Sequence, residues 1–302
     1  MTTDLEPLDL ARTAPFVGRD IGRLSYGCWR FPGTDQADVA AKIDAALSIG
    51  ANLIDTAAVY GLGEAETMLG KLISDRPSIR DEMVIVTKAG ITPPVPYNSS
   101  KDHLVASCEA SLGRLNCERL DLFLIHRPDI LTGHEEVAGA LNRLVETGKV
   151  QTVGVSNYTL EQTRALQSFL EFPLVAMQPE ISAWCQETLH NGLLDYAQSA
   201  NMLPMAWSPL AGGALATGEA PEHADHRFGE LIAVLDRIAE VNGAGRDVVA
   251  LAWLLAHPAG IIPILGTQSP DRIRAAAGAF EIRMTRRDWY DLLEAGLGQR
   301  MP

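Results

Sequence analysis

MVIVTKAG (83–90) and LDLFLIH (120–126) decide how this chain folds. Both runs are apolar almost without interruption, rich in branched side chains, and both close on a polar residue, Lys88 in one and His126 in the other. A strand with one wet face alternates; a continuously apolar run belongs to a strand buried on both faces, as in a parallel sheet. The same design recurs at LSYGCWRF (24–31), NLIDTA (52–57), TVGVSN (152–157), LVAMQPEI (174–181), MLPMAWSPL (202–210) and GIIPILGT (260–267). Between these runs the period changes to that of a helix. In DVAAKIDAALSIG (38–50), Val39, Ile43, Ala46 and Leu47 share one face before Gly50; in EEVAGALNRLVETGK (135–149), Val137, Ala140, Leu141, Leu144 and Val145 do so before Gly148. Segments 101–116, 159–171, 187–200 and 269–279 repeat the pattern, 63–74 is a shorter version, and 211–259 holds a loop and helices at 226–242 and 246–257.

Eight strands, each followed by a helix, predict a closed (β/α)8 TIM barrel. No composition break divides the chain, so one α/β domain is expected over 1–302, with 1–20 as an N-terminal extension and 281–302 as a C-terminal tail. A doubly wound open sheet is the alternative. Its nucleotide site needs G-x-G-x-x-G after the first strand, and the nearest approach, Gly61-Leu62-Gly63, runs on to Glu66 where the third glycine belongs.

With 302 residues, 47% of them hydrophobic and 21% charged, the chain can bury a large core. Its 25 Lys+Arg against 38 Asp+Glu give a net charge of −13, which argues against nucleic acid or an anionic membrane as main partner. Cys28, Cys108, Cys117 and Cys185 form no CxxC pair or zinc spacing, and HEEVAG (134–139) has Ala138 where a second metal-binding His would stand. No metal is expected. MTTDLEPLDL lacks the order of a signal peptide, and the apolar tract Val248 to Leu265 is broken by His257, Pro258, Gly260 and Pro263. The expectation is a cytoplasmic protein with free thiols.

A barrel places its chemistry at the C-terminal ends of its strands. There the chain carries Asp55 with Tyr60 just beyond it, Lys88, His126, Ser156 with Asn157, Gln178, and Trp207 with Ser208. An ammonium at Lys88 needs a carboxylate, which Asp55 on the neighbouring strand supplies. A phenol beside that cation is expected to fall from about 10 toward a pKa useful for proton transfer. His126 can hydrogen-bond a substrate oxygen. An Asp–Lys pair in a barrel core also serves as a purely structural bridge, and a lone His or Tyr is ordinary; four together at successive strand ends point to catalysis. Trp29 is a pocket wall or a core residue, and Tyr97 in the Pro-rich loop 91–100 can help cover the site. Arg127 can meet an anionic substrate or pair with Asp129. His190, His223, His226 and His257 are expected to be solvated or capping.

GANLIDTAAVYGLGEAETMLGKLI (50–73), VIVTKAG, LDLFLIHRPD and GKVQTVGVSNYT (148–159) resemble the aldo/keto reductase superfamily, and the likeness continues through MQPEIS, AWSPLAGGAL and ILGTQSPDRI. The resemblance implies NADPH-dependent carbonyl reduction without a metal. It makes Tyr60 the general acid, Lys88 and Asp55 the pair that tunes it, and His126 the group that positions the carbonyl. Ser156, Asn157 and Gln178 match carboxamide contacts, Trp207 the aromatic on the nicotinamide face, and Ser208, Leu210 and Gly212 the pyrophosphate region. Gly266, Thr267 and Arg272 match the segment that holds the adenosine 2′-phosphate. Many members have Lys where Gly266 stands and Glu and Asn where Ala275 and Ala276 stand, so the grip on the adenosine end is altered. The partner is a small carbonyl substrate and the chain is expected to be a monomer. An NADP(H)-sensing regulatory module is the alternative from another class, and a phosphate-binding barrel lyase or isomerase a third.

Overall fold

In the computed structural model, which describes residues 6–222 and 224–302, the two deciding runs are strands paired in parallel, the first buried throughout and the second buried from Leu122 to Ile125. His223 and the first five residues of the acidic N-terminal segment lie outside the described residues. In chain order, a hairpin of β1 (Thr13–Phe16) and β2 (Arg19–Gly22) leads into β3 (Ser25–Gly27), β4 (Leu53–Asp55) and β5 (Val84–Ala89). A second hairpin follows, β6 (Ile91–Thr92) with β7 (Val95–Tyr97), inside the Pro-rich loop. The remaining strands are β8 (Leu120–Ile125), β9 (Val150–Ser156), β10 (Ala176–Gln178), β11 (Leu203–Ala206) and β12 (Ile262–Leu265). Strands β3, β4, β5, β8, β9, β10, β11 and β12 close, in that order, into a parallel barrel, as the eight apolar runs predict.

The helices are α1 (Gln36–Ser48), α2 (Glu64–Asp75), α3 (Ile79–Glu82), α4 (Lys101–Leu115), α5 (His134–Glu146), α6 (Leu160–Gln167) and α7 (Leu193–Ala200). They continue as α8 (Ala214–Thr217), α9 (His226–Asn242), α10 (Arg246–Leu255), α11 (Pro270–Ala275) and α12 (Arg286–Leu297). Helix α5 buries Val137, Ala140, Leu141 and Leu144, four of the five residues on its expected face. Helix α10 is buried from Val248 to Leu255, because α9 covers it on the outside. Among the described residues no helix is long and apolar enough to cross a membrane.

Inside the barrel, Leu53, Val84, Val86, Leu122, Leu124, Ala176, Met205, Ile262 and Ile264 form one cluster, and Phe16 and Ile21 from the hairpin plug its N-terminal end. The N-terminal extension is therefore in part a stopper. Gly154 is needed in that interior: a Cβ there would stand 2.4 Å from the Ala176 carbonyl oxygen and 2.7 Å from Leu124. The C-terminal tail contains α12, started by a capping box between Thr285 and Asp288. Its Trp289 stacks on Trp253 at 5.3 Å, and each indole N–H donates to the other residue's carbonyl. Sealing one end leaves the other, where the polar strand ends converge.

Candidate active site

Lys88 emerges from β5 with its side chain wholly inaccessible to solvent. Its ammonium donates to Asp55 Oδ2 at 2.8 Å, to the Thr56 carbonyl at 2.8 Å and to Tyr60 Oη at 3.2 Å. Three donors thus meet three oxygens, which is what permits a buried cation. The Thr56 carbonyl had no signal in the sequence, since any residue type supplies one. Asp55 accepts from Gln178 Nε2 at 2.7 Å on its other oxygen. From there the chain of bonds runs on: Ser156 Oγ donates to the Gln178 carbonyl, Asn157 Nδ2 to Ser156 Oγ, and Trp207 Nε1 to Asn157 Oδ1. One continuous path links Trp207 to Tyr60 across β11, β9, β10, β4 and β5.

Asn157 Nδ2 also donates to the His126 carbonyl, and His126 N–H donates to Ala89 at the end of β5. The imidazole therefore sits on a fixed backbone, its ring 5.8 Å from that of Tyr60. Neither ring nitrogen has a partner among the described residues. Burial, then the charges of Lys88 and Arg127, lower the His126 pKa to about 2, so the ring is a neutral hydrogen-bonding group. Tyr60 departs from expectation. Burial raises its pKa above the ordinary value, and this outweighs the pull of Lys88 in the other direction. The phenol is consequently a protonated acid at neutral pH. Lys88 goes up: burial disfavours its charge, but Asp55 and Tyr60 together more than offset that.

Trp29 is 61% exposed and meets Tyr60 edge-on at 4.9 Å, so it is a wall of the mouth and not a core residue. Trp184 instead packs edge-on against Phe228. Asp129 is turned into its own loop, accepting from Ser99, Leu131 and Thr132, and makes no ion pair with Arg127.

The other candidate residues lie on the loop after β11 and on the loop and helix α11 that follow β12. Ser208 Oγ accepts from Gly212 N, and Ser208, Ala211 and Gly212 all have left-handed backbones, as does Asn157. Non-glycine residues held there cluster at functional sites. Leu210 packs against the core at the start of this loop. Around β12, Arg30 donates to the Gly266 carbonyl and Tyr26 to that of Thr267, while Arg272 is exposed on α11 with its guanidinium unpaired among the described residues. Arg30 was not apparent from the sequence, because nothing in it pairs residue 30 with 266.

A closed parallel barrel thus sets a buried cation against a phenol, with a neutral imidazole beside them, at one mouth. The sequence profile of the aldo/keto reductase family matches residues 23–295. The chain is 43% identical to a 6-dehydroglucose reductase of Novosphingobium aromaticivorans, over 94% of this chain and 95% of that protein. It is 40% identical to a 6-dehydroglucose reductase of Agrobacterium fabrum, over 93% and 96%. A thermostable aldo-keto reductase solved with the inhibitor epalrestat superposes with a TM-score of 0.81 at 27% identity, covering 94% of this chain and 99% of that one. The chain belongs to the aldo/keto reductase family. It is an oxidoreductase.

Proposed function

We propose that this protein is an NADPH-dependent reductase of aldehydes and ketones, with an aldehydo-sugar as its preferred substrate class and Tyr60 as the general acid. The observation that carries the reading is the buried Asp55–Lys88–Tyr60 chain of hydrogen bonds ending beside a neutral His126. The two relatives named 6-dehydroglucose reductase support the sugar class. Residues 1–302 are read as one barrel domain acting as a monomer.

The residues present fit a nicotinamide dinucleotide. Gln178 keeps its amide oxygen as an acceptor while its nitrogen is held by Asp55, and Ser156 and Asn157 complete a donor–acceptor set suited to a carboxamide. Trp207 offers a half-buried indole whose N–H is fixed by Asn157. The loop of Ser208, Leu210 and Gly212 suits a pyrophosphate: a Cβ at Gly212 would meet nothing within 4 Å, so its backbone is open to a ligand. Gly266, Thr267 and the unpaired guanidinium of Arg272 suit the adenosine end, where Arg favours a 2′-phosphate.

A nicotinamide cofactor, when bound, would supply the hydride that the carbonyl carbon takes up. Tyr60 Oη gives its proton to the carbonyl oxygen as the C=O π electrons move onto that oxygen, leaving a phenolate. Lys88 stabilises the phenolate at a distance that is 3.2 Å for the phenol. Asp55 keeps Lys88 charged, and Gln178 keeps Asp55 in place. His126 cannot be the acid, because its pKa lies far below neutrality, but its N–H can hold the substrate oxygen.

The test is to follow NADPH consumption with a panel of sugar aldehydes, simple aldehydes and ketones, with NADH in parallel, and to identify the alcohol formed. One alcohol per NADPH consumed is the expected result. Tight NADPH binding without turnover of any carbonyl would contradict it and indicate the sensing module.

A further inference from the structure

Two charged side chains at the mouth take no part in the network just described. Arg127 follows His126 at the end of β8. Its loop is fixed by the Asp129 carboxylate, which accepts hydrogen bonds from Ser99, Leu131 and Thr132. Among the described residues Arg127 is the one half-buried arginine with neither a hydrogen bond nor an ion pair from its side chain; arginines 80, 114, 227 and 246, equally half-buried, all have partners. Glu180 lies two residues beyond Gln178 and makes an isolated parallel bridge to Trp207, which places it at the same end of the barrel. Its backbone is pinned, since Trp207 N–H donates to Pro179 and Thr188 Oγ1 to Glu180. Its carboxylate has no hydrogen-bond partner among the described residues and is half-buried. Burial raises the pKa of Glu180 and the charge of Arg127 offsets only part of that, so the two side chains feel each other's field, yet no N···O distance between them falls within 4 Å.

We infer that Arg127 and Glu180 are the specificity-determining pair of this reductase, reading neighbouring hydroxyl groups on a neutral polyhydroxy aldehyde and discriminating against anionic ones. The inference rests on the reductase reading above. Neither head group is sealed from solvent, so both stand on a fixed backbone free to exchange water for a ligand that satisfies the two together. A vicinal diol does so: one hydroxyl donates to the carboxylate while its neighbour accepts from the guanidinium, and both bonds are charge-assisted. A carboxylate or phosphate gains from Arg127 but is repelled by Glu180. Trp29, exposed and set edge-on to Tyr60, offers a flat apolar face to the C–H side of the same molecule.

D-Glyceraldehyde and propionaldehyde share a three-carbon aldehyde frame and differ in two hydroxyls; glyoxylate is an aldehyde with a negative charge. The experiment measures kcat/KM for all three with NADPH, in the wild type, Arg127→Met and Glu180→Gln. The ratio of glyceraldehyde to propionaldehyde should fall about 10- to 100-fold in each variant, the range for losing a hydrogen bond to a charged group. Glu180→Gln should raise the ratio of glyoxylate to propionaldehyde, and Arg127→Met should lower it. Arg127→Lys and Glu180→Asp, which keep the charge but not the reach, should lower the glyceraldehyde ratio while leaving the glyoxylate ratio near that of the wild type, and serve where a larger change fails to fold. Ratios that stay put, or equal losses on all three aldehydes, would overturn the inference while the reductase reading stands. A wild type that oxidises NADPH with none of the three would overturn the reductase reading, and the inference with it.

Discussion

Replacing Lys88 with methionine separates the two roles of the buried ion pair. The substitution roughly keeps the volume but leaves Asp55, whose side chain is 4% exposed, with the Gln178 amide as its only side-chain donor. Breaking a buried pair from one side costs about 3–5 kcal/mol, because the remaining charge is uncompensated. Adding Asp55→Asn removes that charge, so the double variant should regain about 2 kcal/mol over Lys88→Met alone, a coupling typical of contacting residues. Activity should not follow stability. An ammonium 3.2 Å from a fully formed phenolate is worth about 5 kcal/mol at an effective dielectric of 20. If half the charge develops in the transition state, losing it slows reduction about a hundredfold. Urea unfolding at pH 7 and steady-state NADPH oxidation, on the wild type, the two single variants and the double variant, measure both quantities. A double variant as unstable as the sum of its single changes would refute the electrostatic account, and so would activity that recovers with stability.

Three further outcomes are expected. Reduction should be independent of pH from about 6 to 9, since burial keeps Tyr60 protonated there and His126 does not titrate; it should fall only above the raised pKa of Tyr60, and a limb near 6.5 in the pH–rate profile would contradict this. Stability should follow the opposite end of the scale: His126 is neutral in the fold but binds a proton near 6.5 when unfolded, so lowering the pH from 7 to 5 should cost about 2 kcal/mol from this residue, and His126→Gln should abolish that part of the loss in urea titrations at the two pH values. Gly154→Ala should destabilise by about 3 kcal/mol in the same assay, because the added methyl meets the Ala176 backbone, which cannot step aside; a change under about 1 kcal/mol would mean that the barrel wall yields.

The barrel was legible because strands buried on both faces leave continuous apolar runs, and because each ends on a polar residue. The plugging hairpin was not. Its strands are four residues long, and its turn, Val17-Gly18, carries positive φ at both positions without the Asn-Gly or Asp-Gly pair that announces such a turn. Helix α12 showed only its T-x-x-D start; its docking rests on Trp289 meeting Trp253, a pairing no local pattern encodes. At the site, residue types and strand ends were legible, but magnitudes set by three dimensions were not. Lys88 does pull Tyr60 down, yet the enclosure that outweighs it comes from the surrounding strands and loops. Likewise Asp129, two residues from Arg127, looks like its partner on paper and is instead engaged by three groups of the adjoining loops.

The central claim is that Tyr60 delivers the proton, and Tyr60→Phe tests it most directly. The ring and its contact with Trp29 are kept and only the hydroxyl is lost, so NADPH affinity should match that of the wild type. The turnover rate should drop by about 10²–10⁴-fold, the usual contribution of a positioned acid. Unimpaired turnover in Tyr60→Phe would contradict the account and shift the proton transfer to another group at the mouth.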